Sequence, residues 1–267
     1  MTERRAPGDH FSTVSAGYAA FRPRYPRHLF EFVASVAQRR RRAWDCGAGS
    51  GQATVDLAEW FDETVGSDVS AEQIARAPAH PRVRWLVARA EAAPLAPASI
   101  DVIVVAQALH WFDHARFYDE VRRVAAPGTT IAAWTYAAPT MTGDVGEAVR
   151  RLAFETLGTY WPPERRYVDE EYRTIPFPFE RIATPSFQLE DHWTLAQVVG
   201  YIRTWSATTR YIDVHGVDPV DAVERELRSF WADPDSPRQI VWPLLLLAGR
   251  VARDSEGSVH GDRLHRR

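Results

Sequence analysis

The chain has 267 residues, 45% of them hydrophobic, and carries a net charge of −3 from 35 acidic and 32 basic side chains. That is enough apolar material for one large core, and a charge so near balance gives no global basic field to recruit nucleic acid. The single cysteine, Cys46, excludes an intrachain disulfide and fits a reducing, cytoplasmic setting, and no run approaches the roughly 18 apolar residues of a membrane span.

Residues 1–10 are polar and read as disordered, and residues 11–26 read as irregular chain or short helix ended by Pro23 and Pro26. Residues 27–41 place Leu29, Phe32, Val33 and Val36 at helical spacing, with the arginine run 39–42 as a cationic C-terminus complementing the helix dipole. RAWDCG (42–47) is a short strand. Beyond it Thr54, Leu57, Ala58 and Phe61 recur at helical spacing. ETVGSD (63–68) is a second strand, followed by a helix that Ser70 can cap. VRWLVA (83–88) and IDVIVVAQ (100–107) are the third and fourth strands, the latter apolar enough for burial on both faces. A helix over 114–125 stops before Pro127-Gly128, and TTIAAWTY (129–136) is a fifth strand.

Strand and helix alternate from 42 to 136, which predicts an α/β fold with a doubly wound parallel sheet. The rhythm then changes. Helices are expected over 143–158, 194–207 and 218–231, a proline-rich loop or short helices over 160–180, and strands over 186–193 and 239–251. The predicted organisation is an arm or lid over 1–25, a core over 26–136, a roof with the last two strands over 137–251, and a disordered tail over 252–267.

WDCGAGSGQ (44–52) sets Gly47, Gly49 and Gly51 in the first strand-to-helix turn, where such sheets receive their ligands. A dinucleotide site would want G-x-G-x-x-G, with the pyrophosphate on the helix N-terminus. Here the spacing is G-x-G-x-G, and Asp45 ends the strand. A carboxylate there repels a pyrophosphate but accepts a hydrogen bond from an ammonium group. Asp68 ends the second strand, where a carboxylate takes ribose hydroxyls. An ammonium, a ribose and no phosphate describe S-adenosylmethionine (SAM).

WDCGAGSGQ, VGSDVS, ARAEAAPL, SIDVIVVAQALHWFD and APGTTIAAW resemble, in order and spacing, the class I SAM-dependent methyltransferases. Tyr18, Arg22, Pro23, Tyr25 and Pro26, with Ala106 to Phe112, are similar to the trans-aconitate methyltransferase-like branch. The resemblance covers residues 11–136 and bears on fold and cofactor far more than on substrate. It implies a seven-stranded Rossmann-like sheet with an antiparallel last strand, and a helical insertion over the substrate pocket. It implies SAM as cofactor and S-adenosylhomocysteine (SAH) as product. The cofactor-binding set it implies is Asp45, Gly47, Ala48, Gly49, Gly51, Asp68 and Val69, with Ala90 and Glu91 at the adenine and Gln107 and Ala108 facing the sulfonium. Arg89 departs from the family at a position often acidic. Tyr18 and Arg22 would belong to a lid over the methionine carboxylate.

His110 and Trp111 follow the fourth strand at the mouth of that site. His110 is the candidate catalytic residue, as a general base or as a group that positions the acceptor. Trp111, Tyr160, Trp161 and Trp205, with Tyr211, are candidates for the substrate wall, and Arg203 and Arg210 for meeting an acidic substrate. No Cys/His cluster has metal spacing. The expected activity is methyl transfer to a small organic acceptor, at a carboxylate or hydroxyl oxygen. A SAM-binding protein without methyl transfer, or with other chemistry, keeps the same glycines, and an NAD-dependent oxidoreductase is disfavoured by G-x-G-x-G and Asp45. Neither nucleic acid nor membrane is an expected partner, and the oligomeric state is open.

Overall fold

A computed structural model describes residues 23–252. Helix α1 (Arg27–Val36) leads into β1 (Arg42–Cys46), α2 (Gln52–Leu57), β2 (Glu63–Asp68), α3 (Ala71–Arg76), β3 (Val83–Val87), β4 (Ile100–Ala106), α4 (His114–Val124) and β5 (Ala125–Tyr136). Then come α5 (Gly143–Arg151), α6 (Arg165–Asp169), β6 (Glu180–Arg181), β7 (Phe187–Trp193), α7 (Leu195–Arg203), α8 (Ser206–His215), α9 (Val220–Phe230) and β8 (Arg238–Arg250).

All eight strands make one sheet, ordered β3-β2-β1-β4-β5-β8-β6, with β7 also on β8. Strands β1 to β5 pair in parallel, and β8 runs antiparallel to β5, β6 and β7. The order reverses between β1 and β4, so the loops after these two strands diverge there and leave a crevice at their carboxyl ends. This is the expected α/β architecture, with the antiparallel strand where the resemblance placed it and one short strand more.

Period-two alternation in the central strands builds a core on each face. Ala43, Val102, Val104, Ala132 and Trp134 pack with α1 and with α5, α7 and α9 on one side. Trp44, Cys46, Ile103, Val105, Ile131 and Ala133 pack with Phe117 and Val121 of α4 and with Tyr172 on the other. Strands that bury both faces carry no polar stripe, which is why IDVIVVA reads as continuous apolar sequence.

Three details differ from expectation. Helix α1 ends at Val36, so the arginine run lies beyond it. Only Arg40 reaches back, its Nε donating to the Ala34 carbonyl at 3.0 Å, while Arg41 and Arg42 pair with Asp101 and Glu63. Helix α8 was not foreseen, because Trp205 and Gly216 bound a stretch with little apolar periodicity. Strand β5 begins at Ala125 and carries the Pro127-Gly128 turn signal inside it, across a register shift against β4. Among the described residues no helix is long and apolar enough to cross a membrane.

Candidate active site

The glycine loop between β1 and α2 is held open by backbone geometry. Gly47 (φ +75°) and Gly51 (φ +93°) are left-handed, and added Cβ atoms there would lie 2.5 Å from Ala108 Cβ and 2.2 Å from the Trp85 ring. Only glycine takes these angles without cost and lets the loop lie so close to its neighbours. A Cβ on Gly49 would meet nothing within 4 Å. The N–H groups of Gly47 and Ala48 both donate to the Ser67 carbonyl at 2.9 Å. Asp68, at the end of β2, braces the same loop. One carboxylate oxygen accepts from the Gly49 N–H at 2.9 Å and the other from the Ser70 N–H at 2.8 Å. Each oxygen keeps acceptor capacity, because a carboxylate offers about four lone-pair sites.

The loops after β1, β2, β3 and β4 enclose a cavity of about 680 Å³, within the range of cofactor pockets. Its wall includes Gly47, Ala48, Gly49, Gly51, Asp68, Val69, Ala90, Glu91, Gln107, Ala108 and Trp111. Glu91 accepts from the Asp113 N–H at 3.2 Å and lies 3.3 Å from the Arg89 guanidinium.

Gln107 leaves β4 in the left-handed region, at φ +57°. Its Oε1 accepts from the Thr135 hydroxyl at 2.8 Å, while its Nε2 is buried without a partner. His110 Nδ1 lies 2.8 Å from the hydroxyl of Tyr172, a fully buried residue of the roof segment. Burial pushes the Tyr172 phenol well above its ordinary pKa, against the pull of Thr135 and the His110 main chain, so it stays protonated.

A methyltransferase-domain family profile matches residues 44–133. A Dictyostelium discoideum protein named as a methyltransferase is 32% identical over 87% of this chain and 90% of its own length. The chain belongs to the class I SAM-dependent methyltransferases. A Mycobacterium tuberculosis protein named as an uncharacterized methyltransferase is 38% identical over 76% of this chain and 79% of its own. A solved structure from Anaeromyxobacter dehalogenans, described as a type II methyltransferase, superposes with a TM-score of 0.82 at 45% identity, over 87% of this chain and 99% of its own. None of these singles out the trans-aconitate branch.

The residues of this methyltransferase fit SAM on three counts: a cradle that a Cβ would fill at Gly47 and Gly51, open space over Gly49, and a carboxylate with spare acceptor sites at Asp68. Asp45 takes another place than the one expected. It is absent from the wall and fully buried, with one oxygen accepting from the Thr54 hydroxyl at 2.6 Å and Oδ1 unpaired. Burial, less the Thr54 hydrogen bond and with the neighbouring Asp68 charge added, raises its pKa from 3.8 to about 7.

His110 is also absent from the wall. The turn Leu109–Trp111 presents Trp111 to the cavity and folds His110 inward onto Tyr172. In the roof, Tyr160, Trp161, Arg203 and Trp205 are likewise off the wall. Arg203 is spent on Asp218, Asp221 and Glu224 at 2.7–3.1 Å, and is not free to meet an acidic substrate. Arg210 donates to the Tyr160 carbonyl at 3.3 Å, and Trp161 packs on Trp205. Tyr18 and Arg22 lie outside the described residues, as does most of the predicted lid and tail.

Sequence reasoning missed Arg24, Tyr25, Asp56, Gln73 and Phe112 on the wall. Tyr25 was within reach of the R-P-x-Y-P signature, and Phe112 within A-L-H-W-F. Asp56 and Gln73 sit on short helices and carried no signal beyond their residue type.

Proposed function

We propose that this methyltransferase moves the SAM methyl group to an oxygen of a small organic acceptor, with a carboxylate favoured over a hydroxyl. Bound SAM supplies a methyl group on a positively charged sulfur. In this reading Asp68 accepts from the ribose hydroxyls, Ala90 and Glu91 read the adenine, and the glycine loop carries the methionine portion. The walls exclude water and align donor with acceptor, which is most of what such a transfer needs.

The observation that carries the carboxylate is the withdrawal of His110 onto Tyr172. Among the described residues the wall has no histidine, lysine or cysteine. A carboxylate is already ionised at neutral pH and needs no base. A hydroxyl would need one, and the group on the wall suited to that work is Asp56, half-buried and with its pKa raised by burial.

The test uses tritiated SAM with a panel of small carboxylates, phenols, alcohols and amines. Tritium should pass to carboxylates, with a single-turnover rate nearly flat from pH 6 to 8. Transfer only to phenols or alcohols, with a rate that rises with pH and collapses in Asp56→Asn, would replace the carboxylate by a hydroxyl. SAH binding by calorimetry with no tritium in any probe would leave a cofactor-binding protein without this activity.

A further inference from the structure

Gln107 at the carboxyl end of β4 and Tyr172 of the roof segment stand in left-handed backbone without being glycine, at φ +57° and φ +56°. Such angles cost energy for L side chains and persist where surrounding contacts enforce them. Both side chains belong to one polar cluster at the end of β4. The Tyr172 hydroxyl lies 2.8 Å from His110 Nδ1, and the nearby Thr135 side chain pulls its pKa down against the effect of burial. The Thr135 hydroxyl in turn donates to Gln107 Oε1 at 2.8 Å.

The Gln107 carbonyl oxygen engages the Thr135 hydroxyl, and its amino group, a donor, is buried with no acceptor. A buried amide donor left unpaired is costly unless something arrives to accept from it. Gln107 is on the cavity wall, next to Ala108, which abuts the glycine loop at Gly47. A ligand group placed where the loops after β1 and β4 meet would supply that acceptor once the amide turns to the cavity.

We propose that Gln107 Nε2 orients the methyl acceptor by donating to a carboxylate or carbonyl oxygen on it, and that Thr135 and Tyr172 are positioning residues for the amide. The inference rests on the methyl-transfer reading and moves Gln107 from the cofactor to the acceptor. It assigns a role to the roof segment: through Tyr172 it sets the polarity of the wall without lining it. His110 has its place here as the anchor of Tyr172.

The experiment measures the acceptor KM and kcat for the carboxylate of the tritium panel that the wild type uses best, with the SAH dissociation constant taken by calorimetry for every variant. Gln107→Met keeps the length and removes both donors. Its acceptor KM should rise about tenfold or more, with SAH affinity within twofold of wild type. Gln107→Asn tolerates left-handed backbone and withdraws the amide by one methylene, so it should give the same rise in a chain that melts with the wild type. Tyr172→Phe and Thr135→Val should raise the same KM about threefold to tenfold, again without moving SAH affinity. An unchanged acceptor KM in both Gln107 variants overturns the proposal. So does a loss of SAH affinity with KM unchanged, which returns Gln107 to the cofactor. A wild-type panel in which only amines are methylated also overturns it. Failure of the wild type to bind SAH at all would instead sink the cofactor assignment.

Discussion

Around the ends of β1, β2 and β4 the chain holds left-handed backbone at Gly47, Gly49, Gly51 and Gln107, and leaves Asp45 Oδ1 and Gln107 Nε2 without partners. Across α5 to α9 the charges instead consume one another. Arg203 is held by Asp218, Asp221 and Glu224, and Arg151 pairs with Glu226. The aromatic side chains there pack together, as Trp193 does on Tyr201 and Trp242. The first region leaves a carboxylate oxygen and an amide nitrogen unpaired near a cavity, while the second closes its charged groups on one another and leaves the indole N–H of Trp242 as a buried unpaired donor. The contrast lies in the charged side chains: Asp45 keeps an oxygen unpaired near the cavity, whereas Arg151 and Arg203 of the roof are closed on carboxylates.

The largest test of this contrast is electrostatic. The pKa of Asp45 is raised from 3.8 to about 7, so between those values the folded chain holds a proton that the unfolded chain has lost. Stability from this residue is therefore full below about pH 4, falls as pH rises, and levels off above about pH 7. The gap corresponds to roughly 4 kcal/mol at most. Asp45→Asn removes the titration, so urea unfolding at pH 5 and pH 8 should show a smaller loss with rising pH in the variant. Equal losses in both chains would mean that Asp45 is not strained by burial.

Next in size is the cofactor carboxylate. Asp68→Ala should weaken SAH binding by one to two orders of magnitude, about 1.4–2.8 kcal/mol, by calorimetry. Wild-type affinity in that variant would remove Asp68 from the site and blur the difference between the two regions.

The smallest effect belongs to the roof. Arg203 keeps 40% of its side chain exposed, and such ion pairs are individually weak. Arg203→Ala should cost about 1 kcal/mol or less in urea unfolding and leave SAH affinity unchanged. A loss of cofactor binding in Arg203→Ala would show that the roof communicates with the cavity through its charges, contrary to the ion-pair arrangement described.

Much of the cofactor half can be read from the sequence because its requirements are local. Left-handed turns demand glycine at Gly47 and Gly51, strand ends place Asp68 at a fixed offset, and strands buried on both faces read as IDVIVVA. These are conditions on backbone angle and spacing, and neighbours in sequence meet them. The family likeness added the cofactor by the same local motifs. Tertiary structure alone decided which way each side chain faces once the loop is folded. Asp45 turned inward to Thr54, and His110 rotated off the wall onto Tyr172, 62 residues away. Arg203, which sequence offers as an anion partner, met acids 15 to 21 residues further on. The Gln107–Thr135 bond joins the end of β4 to β5, the His110–Tyr172 contact joins the following turn to the roof segment, and no period or motif links those positions. Long-range hydrogen bonds depend on which surfaces pack together, and packing is a property of the whole chain that no short stretch of it encodes.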